Sequence, residues 1–247
     1  MGLPVSVLAR GSGARSSAAN TAVCVVFDEL NAVDRVFSPY KPDSVVSQIA
    51  RGEIRIEDCD DLVREVALRC EAARELTGGL FDAVGPDGTW DPSGLVKGWA
   101  TERCFRHLAA VPDLDWCLNA GGDVVVSAPS GHPFQVGIQD PRRADRVAAV
   151  LPCVRGAVAT SGTTARGAHL YDPRTGDVTT SPWLSVSITG QSLETADVLA
   201  TAAFVAGESW WEVVDLQSGY EALGIDNDYH VVTTPGWPVT PQSRLEP

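Results

Sequence analysis

Helix-type and strand-type apolar patterns occupy separate blocks of this chain, and their order limits the folds that it can adopt. Up to residue 110 the apolar side chains mostly recur every three or four positions, which is typical of amphipathic helices. After Pro112 the pattern changes to short apolar runs broken by turns, which is typical of strands. Because strands and helices do not alternate regularly, a parallel sheet of βαβ units is disfavoured, and we predict an α+β fold.

The same patterns locate individual elements. In the helix predicted over 20–37, a buried stripe is expected at Val26, Leu30, Val33 and Phe37. Further helices are predicted after Asp43, over 60–76, from about 93 to 110, and over 194–206. Strands are predicted for VSVL (5–8), DWCLNA, DVVVSA, PFQVGI, GAVATS, AHLY, LSVSIT, YEALGI and YHVVTT. No repeat, low-complexity tract or linker divides the chain, so we predict one domain over residues 1–247.

Charge and cysteine usage exclude several classes of partner. The formal net charge is −13 and the sequence pI is about 4.6. The chain therefore lacks the excess positive charge that attracts the phosphate backbone of nucleic acids, and we expect no nucleic-acid partner. The six cysteines are widely spaced without a Cys-x-x-Cys pair, which is typical of reduced thiols rather than of a zinc site. No run approaches the roughly 18 apolar residues of a membrane span. We therefore expect no membrane span and, unless a leader has been removed, a cytoplasmic protein.

The stretch TADVLAT (195–201) places two oxygen-bearing side chains among alanines. Asp197 and Thr201 are four residues apart and therefore share one face of the predicted helix. An aspartate in a first helical turn is stabilised by the helix dipole and needs no ligand. Thr201 is harder to explain, since a β-branched hydroxyl lowers helix propensity. Because Mg²⁺ accepts carboxylate and other oxygen ligands, the pair indicates either a metal site or an ordinary helix start.

Three more segments are suited to ligand binding, and each also has a purely structural interpretation. In DPSGLVKG (91–98), Lys97 lies near the start of a predicted helix, where it is either solvated or paired with a bound anion. NAGGD (119–123) is either a tight hairpin or a close backbone approach to a phosphate. HLYDPRTG (169–176) contains a good turn sequence, and His169 is either a half-buried structural histidine or a proton acceptor.

In this order, these segments resemble the ApbE family of FAD:protein FMN transferases nearly from end to end. The matching segments are MG (1–2), SPYKPDSVVSQI (38–49), GGLFDAVGP (78–86), DPSGLVKGWA (91–100), NAGGD, VGIQDP (136–141), VATSG (158–162), HLYDPRTG and TADVLAT. No single motif is decisive, but so many motifs in register are highly specific. The resemblance implies an α+β fold with a mixed sheet, flanking helices and an FAD site in a cleft between the helical and sheet parts.

The resemblance also implies a reaction and the residues that perform it. FAD would bind with Mg²⁺ at its diphosphate, FMN would pass to a Thr or Ser hydroxyl of an acceptor protein, and AMP would leave. The resemblance makes His169 the base for the attacking hydroxyl, and Asp197 essential for metal-dependent turnover. Mg²⁺ would be held by Asp197, Thr201 and the Gly94 carbonyl, with Ala200 beside it. The residues expected to contact FAD are Met1, Tyr40 (stacked on the flavin ring), Phe81, Asp82, Ala83, Asp91, Lys97, Leu170 and Tyr171.

Two departures from the family pattern keep alternatives open. Only a few residues separate GGLFDAVGP from DPSGLVKG, where the family usually carries a longer insertion, so we expect a more open rim. This favours, as one alternative, an FAD pyrophosphatase in which water replaces the acceptor. After TSG the family usually shows a tyrosine, an acidic residue and an arginine, whereas this chain reads Thr163, Thr164, Ala165 and Arg166. This departure favours, as another alternative, a flavin-binding protein without catalysis.

Overall fold

Helices and strands segregate along the chain as their sequence patterns predict. This computed structural model describes residues 2–162, 171–177 and 179–245. The helices are α1 (Ser17–Phe37), α2 (Val45–Ala50), α3 (Asp61–Leu76), α4 (Ser93–Ala109), α5 (Leu193–Ala206) and α6 (Trp210–Asp215). The strands are β1 (Val5–Arg10), β2 (Asp115–Ala120), β3 (Asp123–Ser127), β4 (Phe134–Asp140), β5 (Arg143–Cys153), β6 (Arg155–Gly162), β7 (Trp183–Gly190), β8 (Glu221–Asp226) and β9 (Val231–Thr233).

Seven strands form one sheet in the order β1-β2-β3-β6-β7-β8-β9, and each neighbouring pair is antiparallel. β4 and β5 form a separate antiparallel ribbon. The α+β class is confirmed, but the described sheet is antiparallel where the resemblance implied a mixed one. The physical reason is that β2 and β3 are joined by a tight hairpin, and the β4–β5 ribbon between β3 and β6 also returns the chain in the opposite direction.

Alternation along the strands separates two apolar cores, one on each face of the sheet. In β2, Trp116 and Leu118 pack on the helical side, whereas Cys117 between them packs on the side of the ribbon. In β6, Val158 likewise faces the ribbon side, while Ala157 faces the helices. Because successive strand side chains point to opposite faces, one sheet supports both cores. The helices cover one face and the β4–β5 ribbon covers the other.

Helix α1 packs through the stripe that the sequence predicts. Val26, Leu30, Val33 and Phe37 are all buried. The helix begins after the N-cap Ser16, whose hydroxyl accepts a hydrogen bond from an amide of the first turn. The predicted helical period therefore gives both the position of this helix and the face that it buries.

Two elements are absent from the sequence prediction. The strand β5 begins with five exposed residues and alternates only in its second half, so its pattern is weak. The helix α6 has six residues, fewer than are needed to recognise a helical period in the sequence.

The predicted strand AHLY lies outside the described residues except for Tyr171. Across the described ranges, no helix combines the length and the apolar character needed to cross a membrane. The single domain over 1–247 and the cytoplasmic location stay predictions.

Candidate active site

A large cleft opens where helices α1, α4 and α5 meet the loops around residues 40 and 85. Its volume is about 1200 Å³, above the roughly 300–1,000 Å³ of ordinary small-molecule pockets. The predicted site residues that line it are Tyr40, Phe81, Asp82, Asp91, Gly94, Lys97, Tyr171 and Thr201. Residues that are far apart in the sequence therefore meet at one cavity.

The other predicted site residues are placed differently. Ala83 and Ala200 are 5% and 0% exposed, so their side chains are buried in the packing. Asp197 is 2% exposed and contacts Lys97, which itself lines the cleft. The remaining predicted residues, Met1, His169 and Leu170, lie outside the described part of the chain, as do residues 163–166.

The short segment between GGLFDAVGP and DPSGLVKG closes into a small hairpin beside the cleft. Val84 and Trp90 form an antiparallel bridge, and the Asp91 amide donates to the Ala83 carbonyl at 2.7 Å. Tyr171 lies against this hairpin and donates its hydroxyl to the Val84 carbonyl at 3.4 Å. Burial raises the pKa of Tyr171, and nearby carboxylates raise it further. The hydroxyl therefore remains a hydrogen-bond donor at neutral pH.

Tyr40 extends from the loop after α1 and is 88% exposed while still lining the cleft. Phe81 also lines the cleft but is 3% exposed. A buried aromatic wall and an exposed aromatic ring at the same cavity suit a planar ligand, because aromatic faces stack favourably. Stacking of Tyr40 on a flavin stays a prediction.

The ammonium of Lys97 lies between two buried carboxylates. Its Nζ is 2.6 Å from Asp123 Oδ2 and 3.3 Å from Asp197 Oδ1. The side chains of Asp123 and Asp197 are 1% and 3% exposed, and that of Lys97 is 12% exposed. The interpretation of Lys97 as a solvated surface residue is therefore wrong. Its charge is paired within the protein.

Two carboxylates and one ammonium leave a local excess of negative charge when all three are ionised. Burial raises the pKa of Asp123, and the nearby Asp197 carboxylate raises it further, while the Lys97 ammonium lowers it. Burial is the larger cause, so the shift mainly reflects the cost of placing a charged carboxylate in the protein interior. An additional cation at this position would be stabilised.

A close crossing of α4 and α5 holds Asp197 in place. The Gly98 amide donates to Asp197 Oδ2 at 3.0 Å. A Cβ atom at Gly98 would lie 2.9 Å from both Asp197 Cβ and the Leu193 carbonyl oxygen, so glycine is required for this approach. Ala196 and Ala200 on α5 are fully buried. The small residues around Asp197 therefore serve helix packing.

The interpretation of Asp197 as a helix-start residue is wrong, because Asp197 lies in the second turn of α5. The helix begins after the N-cap Ser192, whose hydroxyl accepts a hydrogen bond from the Thr195 amide. Glu102 of α4 accepts hydrogen bonds from the Ser192 hydroxyl at 2.7 Å and from the Glu194 amide at 2.9 Å. Other side chains therefore cap this helix, and the Asp197 carboxylate is directed to the interior.

Thr201 has the partner that its position among alanines requires. Its hydroxyl lies 3.1 Å from that of Ser161, at the end of β6. The two hydroxyls share one hydrogen bond, and Thr201 also lines the cleft. The threonine oxygen, beside the Lys97 and Asp197 cluster, adds a further oxygen atom that could ligate a metal ion in this part of the cavity.

Sequence reasoning missed Asp123 and Ser161 as site residues, although both lie in the quoted motifs NAGGD and VATSG. NAGGD is a tight hairpin, with φ values of +63° and +100° at Gly121 and Gly122. A carboxylate directly after this hairpin was the available signal. The glycines drew the functional interpretation, but Asp123 is the residue that contacts Lys97.

The oxygen donors present fit a small hard cation accompanied by phosphate. No group of three or more His, Cys, Asp and Glu side chains suited to a metal is found among the described residues. The available donors are the Asp197 carboxylate, the Thr201 hydroxyl and backbone carbonyls. Mg²⁺ is usually held by one or two carboxylates together with substrate phosphates. This donor set therefore suits Mg²⁺ that shares its coordination with a phosphate-bearing ligand.

The antiparallel sheet, its helical layer and the cleft define an α+β protein with a cavity large enough for a nucleotide-sized ligand. This chain belongs to the ApbE family, whose model matches residues 84–223, more than half of the chain. An FAD:protein FMN transferase from Rhodobacter capsulatus is 33% identical over 170 residues, which are 65% of this chain and 32% of that protein. One from Vibrio cholerae is 29% identical over 129 residues, 48% of this chain and 39% of that protein. The matches thus span between about a third and two fifths of the length of these curated relatives.

Solved structures show the same fold along almost the whole chain. The ApbE protein of Thermotoga maritima superposes with a TM-score of 0.80 at 22% identity, covering 95% of this chain and 94% of that one. The flavin transferase ApbE from Vibrio cholerae gives a TM-score of 0.74 at 18% identity, with coverages of 95% and 98%. At these identities the likeness establishes the fold.

Proposed function

We propose that this chain transfers FMN from FAD to a Thr or Ser hydroxyl of an acceptor protein, with Mg²⁺ at the diphosphate and AMP as the leaving group. The observation that carries the proposal is the convergence of the predicted residues on one cleft, with the buried Lys97–Asp197 pair beside it. The names of the relatives support the transfer of FMN from FAD to a protein. Residues 1–247 would act as one domain in it.

The reaction exchanges one phosphorus–oxygen bond for another. The acceptor hydroxyl oxygen forms a bond to the phosphorus on the FMN side of FAD. The bond from that phosphorus to the bridging oxygen breaks, and AMP carries the bridging oxygen away. The hydroxyl proton passes to a base, which we propose to be His169, because an imidazole can accept a proton near neutral pH.

The charged groups of the cleft would offset the negative charge of the diphosphate. Asp197, Thr201 and the Gly94 carbonyl would hold Mg²⁺, with Ala200 packed beside them. When bound, Mg²⁺ supplies Lewis-acid stabilisation of the phosphoryl oxygens. The Lys97 ammonium adds a second positive charge that is already oriented before substrate binds, which is how preorganised charges favour a transition state.

FAD would occupy the rest of the cleft. Asp82 and Asp91 each accept a hydrogen bond from a nearby amide, at 2.8 and 2.9 Å, and these bonds fix the carboxylates in place. Such fixed acceptors suit the hydroxyl groups of a nucleotide, while Tyr40 would stack on the flavin ring. The other residues proposed to contact FAD are Met1, Phe81, Ala83, Lys97, Leu170 and Tyr171.

Incubation of the full chain with FAD, Mg²⁺ and a candidate acceptor tests the proposal. Intact-protein mass spectrometry is expected to show one FMN added to the acceptor, with AMP in solution. FMN and AMP without an adduct would identify an FAD pyrophosphatase instead, an outcome that the short hairpin at Val84–Trp90 favours because a short rim admits water. Intact FAD would identify a flavin-binding protein without catalysis.

Three variants separate the proposed roles. Asp197→Asn keeps the side-chain volume but is expected to lower Mg²⁺-dependent turnover by at least about 100-fold, the scale of losing one preorganised charge-stabilising group. His169→Ala is expected to lower the rate more than the affinity for FAD. Asp115→Asn is the matched control, since Asp115 is a buried, strand-initiating aspartate paired with Arg10 at 3.2 Å. Unchanged turnover in Asp197→Asn would contradict the proposal that Asp197 is a ligand of Mg²⁺.

A further inference from the structure

Asp123 contacts Lys97 beside the cleft but is outside the metal-ligand set proposed above. It begins β3 directly after the Gly121–Gly122 hairpin. Its Oδ1 accepts a hydrogen bond from the Thr160 amide at 3.2 Å, which ties the carboxylate to β6. With 1% of the side chain exposed, the position of this carboxylate is set by the sheet.

The two contacts of the Lys97 ammonium are unequal. The distance to Asp123 Oδ2 is 2.6 Å and the distance to Asp197 Oδ1 is 3.3 Å. Lysine carries its charge on a flexible four-carbon stem, so its partners decide where the ammonium lies. Asp197 is held separately, by helix packing and by the Gly98 amide. Loss of the Asp123 charge would draw the ammonium onto Asp197, because buried opposite charges attract strongly.

We propose that Asp123 is a positioning residue that keeps the Lys97 ammonium closer to itself than to Asp197. The contact of the ammonium with Asp197 Oδ1 thereby stays long enough for this oxygen to bind a divalent cation as well, and Lys97 keeps its place in the cleft wall. The inference rests on the proposed function, because it takes Asp197 as a ligand of that cation. The negative charge of Asp123 is essential to this role, since a neutral side chain of the same shape would not retain the ammonium against the attraction of Asp197.

Binding of Mn²⁺ tests the proposal without measuring turnover. Mn²⁺ replaces Mg²⁺ as a paramagnetic probe, and the free ion is followed by electron paramagnetic resonance with FAD present and no acceptor. Asp123→Asn keeps the size of the side chain and an acceptor for the Thr160 amide. We expect it to bind Mn²⁺ roughly 10–100-fold more weakly, as is typical when a residue supporting a metal site is lost. Asp115→Asn, which removes a buried aspartate charge paired with Arg10, is expected to bind Mn²⁺ like the wild type.

A second substitution distinguishes positioning from direct ligation or a simple loss of charge. Lys97→Met removes the ammonium that Asp123 is proposed to restrain. In the Lys97→Met background, the loss of Mn²⁺ affinity caused by Asp123→Asn is expected to be about tenfold smaller than in the wild type. Such a difference would show that the two side chains are coupled. An equal loss in both backgrounds would show that Asp123 acts independently of Lys97, and would overturn the proposal.

The conservative variant Asp123→Glu completes the test. It keeps the charge and is expected to recover most of the Mn²⁺ affinity, whereas no recovery would contradict a charge-based role. Urea unfolding reports whether each variant is folded, and if Asp123→Asn is not, Asp123→Ser, which also lacks the charge, replaces it in the comparison with and without Lys97→Met. Equal Mn²⁺ binding by wild type and Asp197→Asn would instead remove the proposed metal site, so the two failures are distinguishable.

Discussion

Gly98→Ala is expected to destabilise the protein and to displace Asp197. Alanine is normally about 1 kcal/mol better than glycine inside a helix. At this position, however, the added Cβ would lie 2.9 Å from Asp197 Cβ and 2.9 Å from the Leu193 carbonyl oxygen. Neither atom is the end of a flexible side chain, so α4 and α5 must move apart to accommodate the methyl group.

The expected change in the free energy of unfolding has two destabilising contributions and one stabilising contribution. Overpacking of a close contact costs about 1–3 kcal/mol. Loss of the hydrogen bond from the Gly98 amide to the Asp197 carboxylate costs about 1.5–3 kcal/mol. The better helix propensity of alanine offsets about 1 kcal/mol. The net expectation is a loss of about 1.5–5 kcal/mol in the free energy of unfolding, which lowers Tm by roughly 3–20 °C for a chain of this size.

Urea and thermal unfolding followed by circular dichroism measure this change. Gly13→Ala is the matched control, because a Cβ there would meet Leu114 Cδ2 at an ordinary 3.6 Å. The control is expected to leave the free energy of unfolding unchanged or to raise it by about 0.4–1 kcal/mol. Stability of Gly98→Ala equal to or above that of wild type would refute the argument that this glycine sets the distance between α4 and α5.

Two other predictions concern stability against pH and thiol reactivity. Burial alone would raise the pKa of Glu29, but hydrogen bonds from Arg103 and His107 lower it below its ordinary value of 4.5. Its contribution to the free energy of unfolding is therefore complete above about pH 4.5 and is lost at lower pH. Glu29→Gln should lower the free energy of unfolding by roughly 1.5–3 kcal/mol at pH 7, and this loss of stability should vanish in acid. The control Glu53→Gln, in an exposed ion pair, should change the free energy of unfolding little. A loss of stability that is independent of pH in urea titrations of Glu29→Gln would contradict the prediction. Of the six cysteines, Cys24 alone is exposed, so a thiol-reactive dye should modify one thiol rapidly in the folded protein and all six in denaturant, and several fast thiols would show that the core opens.

Most of the secondary structure was predictable because helical and strand periods are local properties of the chain. The helix predicted over 20–37 is observed as Ser17–Phe37, and the one over 60–76 as Asp61–Leu76. β5 was missed because its first half is exposed and carries no alternation. Its position depends on pairing with β4, which is a contact between segments rather than a pattern within one.

The sequence alone identified many of the side chains that meet at the candidate site. Lys97, Asp197 and Thr201 stand out through residue type and spacing, and the family resemblance assigns them roles. Their alternatives stayed open because a solvated lysine and a paired lysine have the same local sequence. Only the residue across from Lys97 distinguishes them, and Asp123 lies on a different element.

The tertiary structure decided which of these side chains act together. Gly98 and Asp197 are separated by 99 positions along the chain, yet the amide of one donates to the carboxylate of the other. A local pattern reports the period of the backbone and the face that it buries. It carries no information on the distance between two helices, because that distance is set by the side chains that pack between them. The sequence thus determined the elements and their reactive groups, and helix packing against the sheet brought Lys97 between Asp123 and Asp197.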